Sequence, residues 1–192
     1  FLGHKSLYTP VQDLFLDAAN TDCWADLAGT GLISGITTNP LLINEQGLKT
    51  SIQTYQTLYD QATKLGYPCI QFQVFGGDWL QCAQSISSIG PEVFITIPAN
   101  KVGFEVISKL SLPDRITQAG YSVGQVIAAE ALQVAYTEPY YARLRDAIEI
   151  QFLDLAARGF STFALPVLIA RAFFESTLAD KSIADFENAA RS

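Results

Sequence analysis

Seven polar side chains in this chain stand at or near the ends of short apolar, β-branched runs: Asp17, Thr37, Asn39, Gln73, Thr96, Gln118 and Thr137. An Asp can carry a proton in catalysis. Thr, Asn and Gln exchange hydrogen bonds with hydroxyls, carbonyls or an ordered water. Taken singly, each is more simply read as a helix cap or as satisfying a strand end. Because they recur strand after strand, a binding rim is the better reading. Other chemistries lack their residues. The one His, His4, cannot supply a multi-His zinc or iron site. Cys23, Cys69 and Cys82 are odd in number and show no CxxC, so they read as reduced, buried thiols. No metal and no cofactor are expected.

The elements that must position these residues alternate. Candidate strands are 14–17, 32–38, 69–75, 93–97, 115–119, 134–137 and 161–165. Between them the apolar spacing predicts helices over 20–29, 48–65, 79–89, 102–110, 123–132 and 147–158. Pro166 opens a further helix in the favoured first-turn position. Residues 180–192 should form a small C-terminal helix. Repeated β–α units with buried strands imply a parallel sheet, either open and doubly wound or closed into a barrel. A dinucleotide-binding domain would show GxGxxG after its first strand, where this chain has Asp17-Ala18-Ala19-Asn20. A Walker A loop is absent as well. Polar groups at strand ends favour the barrel, whose C-terminal rim carries its chemistry.

Seven strands can be counted where a closed (β/α)8 TIM barrel has eight. Between Thr137 and Ser161 there is room for about one helix. The count implies that strand seven is missing from the sequence between about Arg143 and Gln151. The absence of Met points the same way, to residues missing from the sequence.

With 192 residues the chain suits one domain. It is 49% hydrophobic and 16% charged, which marks it as globular. The net charge of −7, with 12 Lys plus Arg and no basic run, argues against nucleic acid and anionic membranes as partners. No run approaches the roughly 18 apolar residues of a membrane span, and the first residues lack a signal-peptide pattern. A cytoplasmic protein is expected.

Leu14-Phe15-Leu16-Asp17-Ala18-Ala19-Asn20, followed by Gly35-Ile36-Thr37-Thr38-Asn39-Pro40, resembles the transaldolase family, and within it the short subfamily that includes the fructose-6-phosphate aldolases. Three further segments agree in order: Phe72-Gln73-Val74, Val93 to Pro98 with Gly103, and Tyr136 to Arg143. The resemblance spans about residues 13–186. It implies a TIM barrel of the class I aldolase type and a place in carbohydrate metabolism, the pentose phosphate pathway included. In that family a strand-four Lys forms a Schiff base with a phosphorylated ketose, and a dihydroxyacetone unit is transferred or released. Carried onto this chain, the resemblance implies proton transfer by Asp17 with help from Gln73. It implies substrate binding by Thr37, Asn39, Gln118 and Tyr140, and a phosphate held by Arg143. It also implies a homo-oligomer in which the C-terminal helix reaches a neighbour, although that helix could equally pack on its own barrel.

The departure from the family lies at its nucleophile. The Schiff-base position is Thr96, and a hydroxyl cannot form an iminium. The strand-five position falls on Gln118, with Thr117 adjacent. Lys101, five residues after Thr96, reads as a solvent-facing residue rather than a substitute. Two readings therefore stand: an enzyme of the transaldolase type, or a catalytically diverged sugar-phosphate-binding protein on the same scaffold.

Overall fold

Short apolar runs of four to six residues, the first four each followed by a side chain that caps the next helix, form seven parallel strands. The computed structural model describes residues 13–112, 115–120, 125, 128, 131–139 and 162–172. The strands are β1 (Asp13–Asp17), β2 (Gly35–Thr38), β3 (Ile70–Gln73), β4 (Val93–Pro98), β5 (Ile116–Gly120), β6 (Tyr136–Pro139) and β7 (Thr162–Pro166). They form one sheet in the order β6-β5-β4-β3-β2-β1-β7. β6 comes back beside β7, so the sheet curls into a nearly closed barrel. All seven expected strands are present. The place from which a strand is expected to be missing, between about Arg143 and Gln151, lies outside the described residues.

Among the described residues six helices can be bounded: α1 (Thr21–Leu27), α2 (Pro40–Glu45), α3 (Ile52–Lys64), α4 (Trp79–Ser87), α5 (Lys101–Lys109) and α6 (Val167–Ala172). Gln125, Ala128 and Ala131 are also helical, within the helix expected over 123–132. The helices expected over 147–158 and 180–192 lie outside the described residues. Side-chain caps set the starts of most of the others. Asn20, Asn39, Ser51, Asp78 and Asn100 each accept a backbone N–H of the first turn. α2 was not expected, because Asn39-Pro40 reads as a strand stop. It is both: Asn39 caps the helix and Pro40 supplies a first-turn residue whose missing N–H costs nothing. The helix expected to begin at Leu48 begins instead at Ile52 behind the Ser51 cap, leaving Leu48 exposed.

Strand residues alternate between the two faces of the sheet. Leu16, Ile36, Ile70, Phe72, Ile95 and Ile97 point outward, where they are fully or almost fully buried against the helices. The cross-strand register puts Asp17 opposite Thr37, Thr37 opposite Gln71, Gln73 opposite Thr96, and Thr96 opposite Thr117. These residues occupy the inward face. Below them Phe15 and Phe94 each pack a ring against Tyr136, with centroids 5.2 Å apart in both pairs. The interior is thus floored by aromatics and polar above. Gly103 sets the outer wall here. A Cβ at Gly103 would collide with the Pro98 carbonyl oxygen, so only Gly lets α5 pack this closely on the end of β4.

Candidate functional site

Asp17 ends β1, with Thr37 of β2 on one side and Pro166 of β7 on the other. Its backbone is fixed from several directions. The Ala18 N–H donates to the Thr37 carbonyl at 3.1 Å. The Trp24 indole donates to the Ala18 carbonyl at 3.3 Å, and the Tyr67 hydroxyl donates to the Trp24 carbonyl at 2.7 Å. Burial pushes the Tyr67 hydroxyl up to about 12, so it stays protonated and keeps donating. Burial raises the Asp17 carboxyl to about 7, and the negative charge of Glu45 adds to the rise. An acid poised near neutrality can give or take a proton at little cost.

Thr37 and Asn39 follow on β2 and its C-terminal loop, both buried. The Asn39 side-chain oxygen accepts from Leu41 N at 3.0 Å and Leu42 N at 3.2 Å. That cap fixes the amide with its oxygen turned into the helix.

Gln73 ends β3. Its carbonyl accepts the Tyr55 hydroxyl at 2.7 Å, and the Tyr55 ring stacks on Phe72 with centroids 4.2 Å apart. A helix residue thereby holds the strand end in place. Thr96, opposite Gln73, is 5% exposed, and its hydroxyl has no hydrogen-bond partner. The Thr117 hydroxyl, opposite Thr96, is likewise buried and unpartnered.

The register thus brings Asp17, Thr37, Gln73 and Thr96 to one face, with Asn39 just beyond it. Gln118 is placed differently. It pairs with Ile97 and Thr137, on the helix-facing side of β5, so Thr117 is the residue beside Thr96. A regular strand turns adjacent residues to opposite faces, and the motif alignment was one residue out of step with that alternation. Tyr140 and Arg143 lie outside the described residues. Lys101 begins α5 with its side chain 91% exposed and 4.0 Å from Glu105. The other described lysines, Lys49, Lys64 and Lys109, are exposed too. Among the described residues no group of three or more His, Cys, Asp or Glu could hold a metal ion. None of the described helices is long and apolar enough to cross a membrane.

Three residues of this neighbourhood escape sequence reasoning: Gln71, Trp24 and Tyr67. Period-two alternation back from Gln73 would have found the first. Trp24 and Tyr67 act through hydrogen bonds to backbone carbonyls, one of them across 43 residues, and leave no pattern in the sequence.

No family model matches the chain. A probable transaldolase of Dehalococcoides mccartyi is 31% identical over 141 residues, which are 70% of this chain and 63% of that protein. A probable transaldolase of Desulforudis audaxviator is 30% identical over 142 residues, 71% of this chain and 63% of that protein. One from Syntrophomonas wolfei is 27% identical over 137 residues, 69% and 62% of the two chains. This chain spans less than two thirds of the length of these curated relatives. Among solved structures, a sialic acid synthetase of Leptospira borgpetersenii superposes with a TM-score of 0.49 at 12% identity, covering 82% of this chain and 73% of that one. That last likeness is too slight to carry an inference. The curated relatives support a transaldolase-like family for this chain.

Proposed function

We propose that the protein binds a phosphorylated ketose in the mouth of its barrel and does not turn it over through a Schiff base. The observation that carries this reading is Thr96, buried on the inward face of β4 where the resemblance calls for Lys, while every described lysine is exposed. A Thr hydroxyl adding to a ketose carbonyl can give only a hemiketal. It cannot lose water to an iminium, so a C–C bond broken beside it would leave its electron pair with no acceptor. Binding needs none of this. Thr37, Asn39 and Gln73 would meet the sugar hydroxyls, and Arg143 would hold the phosphate.

A second reading, a working transaldolase-type enzyme, draws on Asp17. Its carboxyl near 7 is what proton transfer asks for, yet the electron sink must then come from elsewhere. Calorimetric titration of fructose 6-phosphate, with Arg143→Ala as control, tests the binding reading. Binding to the native chain and its loss in the variant are expected; equal binding by both, or by neither, overturns it. Borohydride with the same sugar phosphate should leave the native chain at its own mass and add a reduced adduct to Thr96→Lys. A covalent adduct on the native chain would establish the enzyme instead.

Assembly as a homo-oligomer belongs to the same proposal. Ile183, Phe186 and Ala190 are spaced for one apolar helix face, and a monomeric mass by light scattering would count against an exchanged C-terminal helix.

A further inference from the structure

Gln71 stands one pleat below Gln73 on the inward face of β3, opposite Thr37 on β2 and Phe94 on β4. It is fully buried, and neither its Oε1 nor its Nε2 has a hydrogen-bond partner. A primary amide offers two donors and two acceptors. Burying all of them unmade is expensive, and a Leu in the same place would avoid the cost. In the row above, Thr96 and Thr117 carry buried hydroxyls that are also unpartnered. Three neutral hydrogen-bonding side chains on adjacent strands therefore stand beside the aromatic cluster of Phe15, Phe94 and Tyr136 with no partner.

The charge around them narrows what could partner them. The described lysines are exposed, Arg171 is paired with Asp26, and Arg115 donates to the carbonyls of Ser87, Gly90 and Val93 at the opposite end of β4. An anionic group sent this deep would meet no described counter-charge and would lie near Asp17, itself turning negative as pH passes 7. An uncharged hydroxyl both donates and accepts, and it suits an amide flanked by two hydroxyls.

We infer that Gln71 is a specificity-determining residue that reads the terminal hydroxyl at the carbonyl end of a ketose, the end far from the phosphate. The inference rests on the sugar-phosphate reading above and adds to it a residue and the hydroxyl it selects.

The test compares fructose 6-phosphate with its 1-deoxy analogue, titrated calorimetrically into the full chain and into Gln71→Leu. The native chain should prefer the hydroxylated sugar by about tenfold, the worth of one buried hydrogen bond. In Gln71→Leu the two sugars should bind alike. Gln71→Met, closer in shape, is expected to behave the same way and serves if the Leu variant does not fold. Equal binding of both sugars by the native chain would overturn the inference and leave the sugar-phosphate reading standing. So would a preference kept by the variants, which would reduce Gln71 to a holder of structural water. Binding of neither sugar by the native chain would overturn both.

Discussion

The two faces of one sheet have been put to opposite uses. On the outward face Ile36, Phe72, Ile95 and Ile97 are fully buried hydrocarbon with helices packed over them. On the inward face of the same strands stand Thr37, Gln71, Thr96 and Thr117, which are also buried, yet the last three have polar atoms without partners. Burial alone therefore does not distinguish core from site. Unmade hydrogen bonds do not distinguish them either, since Thr38 and Gln118 on the helix-facing side are as buried and unpartnered as Gln71, Thr96 and Thr117. What distinguishes them is composition, hydrocarbon packed under helices on the outward face and polar side chains on the inward one. Substitutions on the first face should cost stability, and those on the second should cost binding.

The largest effect is expected outside. Phe72→Ala removes a fully buried ring that stacks on Tyr55, and should lower unfolding free energy in urea by about 3–5 kcal/mol. A loss below about 1 kcal/mol would mean the outward face repacks freely. Asp17→Asn comes next and reads out as a pH dependence. The folded-state carboxyl near 7 lies above its ordinary 3.8, so the folded protein holds the proton more tightly than the unfolded one. Stability should fall as pH rises from about 4 to about 7 and level off above that, by at most about 4 kcal/mol. The Asn variant should lack this slope, and a native protein that gains stability over the same range would reverse the assignment. Tyr67→Phe deletes the donor to the Trp24 carbonyl and should cost about 1–2 kcal/mol by the same urea measurement. Thr96→Val should change stability by less than about 1 kcal/mol, toward stabilisation if anything, because it removes a hydroxyl that bonds to nothing. A loss several times larger would show that the hydroxyl is engaged after all.

The outward face was the more legible of the two. Its β-branched runs announced seven strands to within a few residues, because apolar burial writes a local, periodic signal. At the rim, Asp17, Thr37, Asn39 and Gln73 were legible through motif and strand-end position. The rest required three dimensions. Choosing between Thr117 and Gln118 takes the register of β5 against β4, which no spacing within β5 reveals. α2 was hidden because Asn39-Pro40 ends a strand and starts a helix with the same two residues. Gln71 looked like an ordinary residue in the middle of a strand until both faces of that strand proved to be covered.

The Gly103 contact says something about how such a scaffold can change over time. Position 96 is a mid-strand site where a Thr sits without special backbone demands, so its side chain can be exchanged by a single codon path while β4 stays in place. Position 103 has no such freedom, because any Cβ there meets the Pro98 carbonyl oxygen and must push α5 off the end of the strand. The residue that would decide the reaction is therefore the sterically replaceable one, and the residue that never meets a substrate is the one that tolerates no side chain. A lineage built on this barrel can lose one chemistry and acquire another by drift at the strand, provided the helix beside it keeps its glycine.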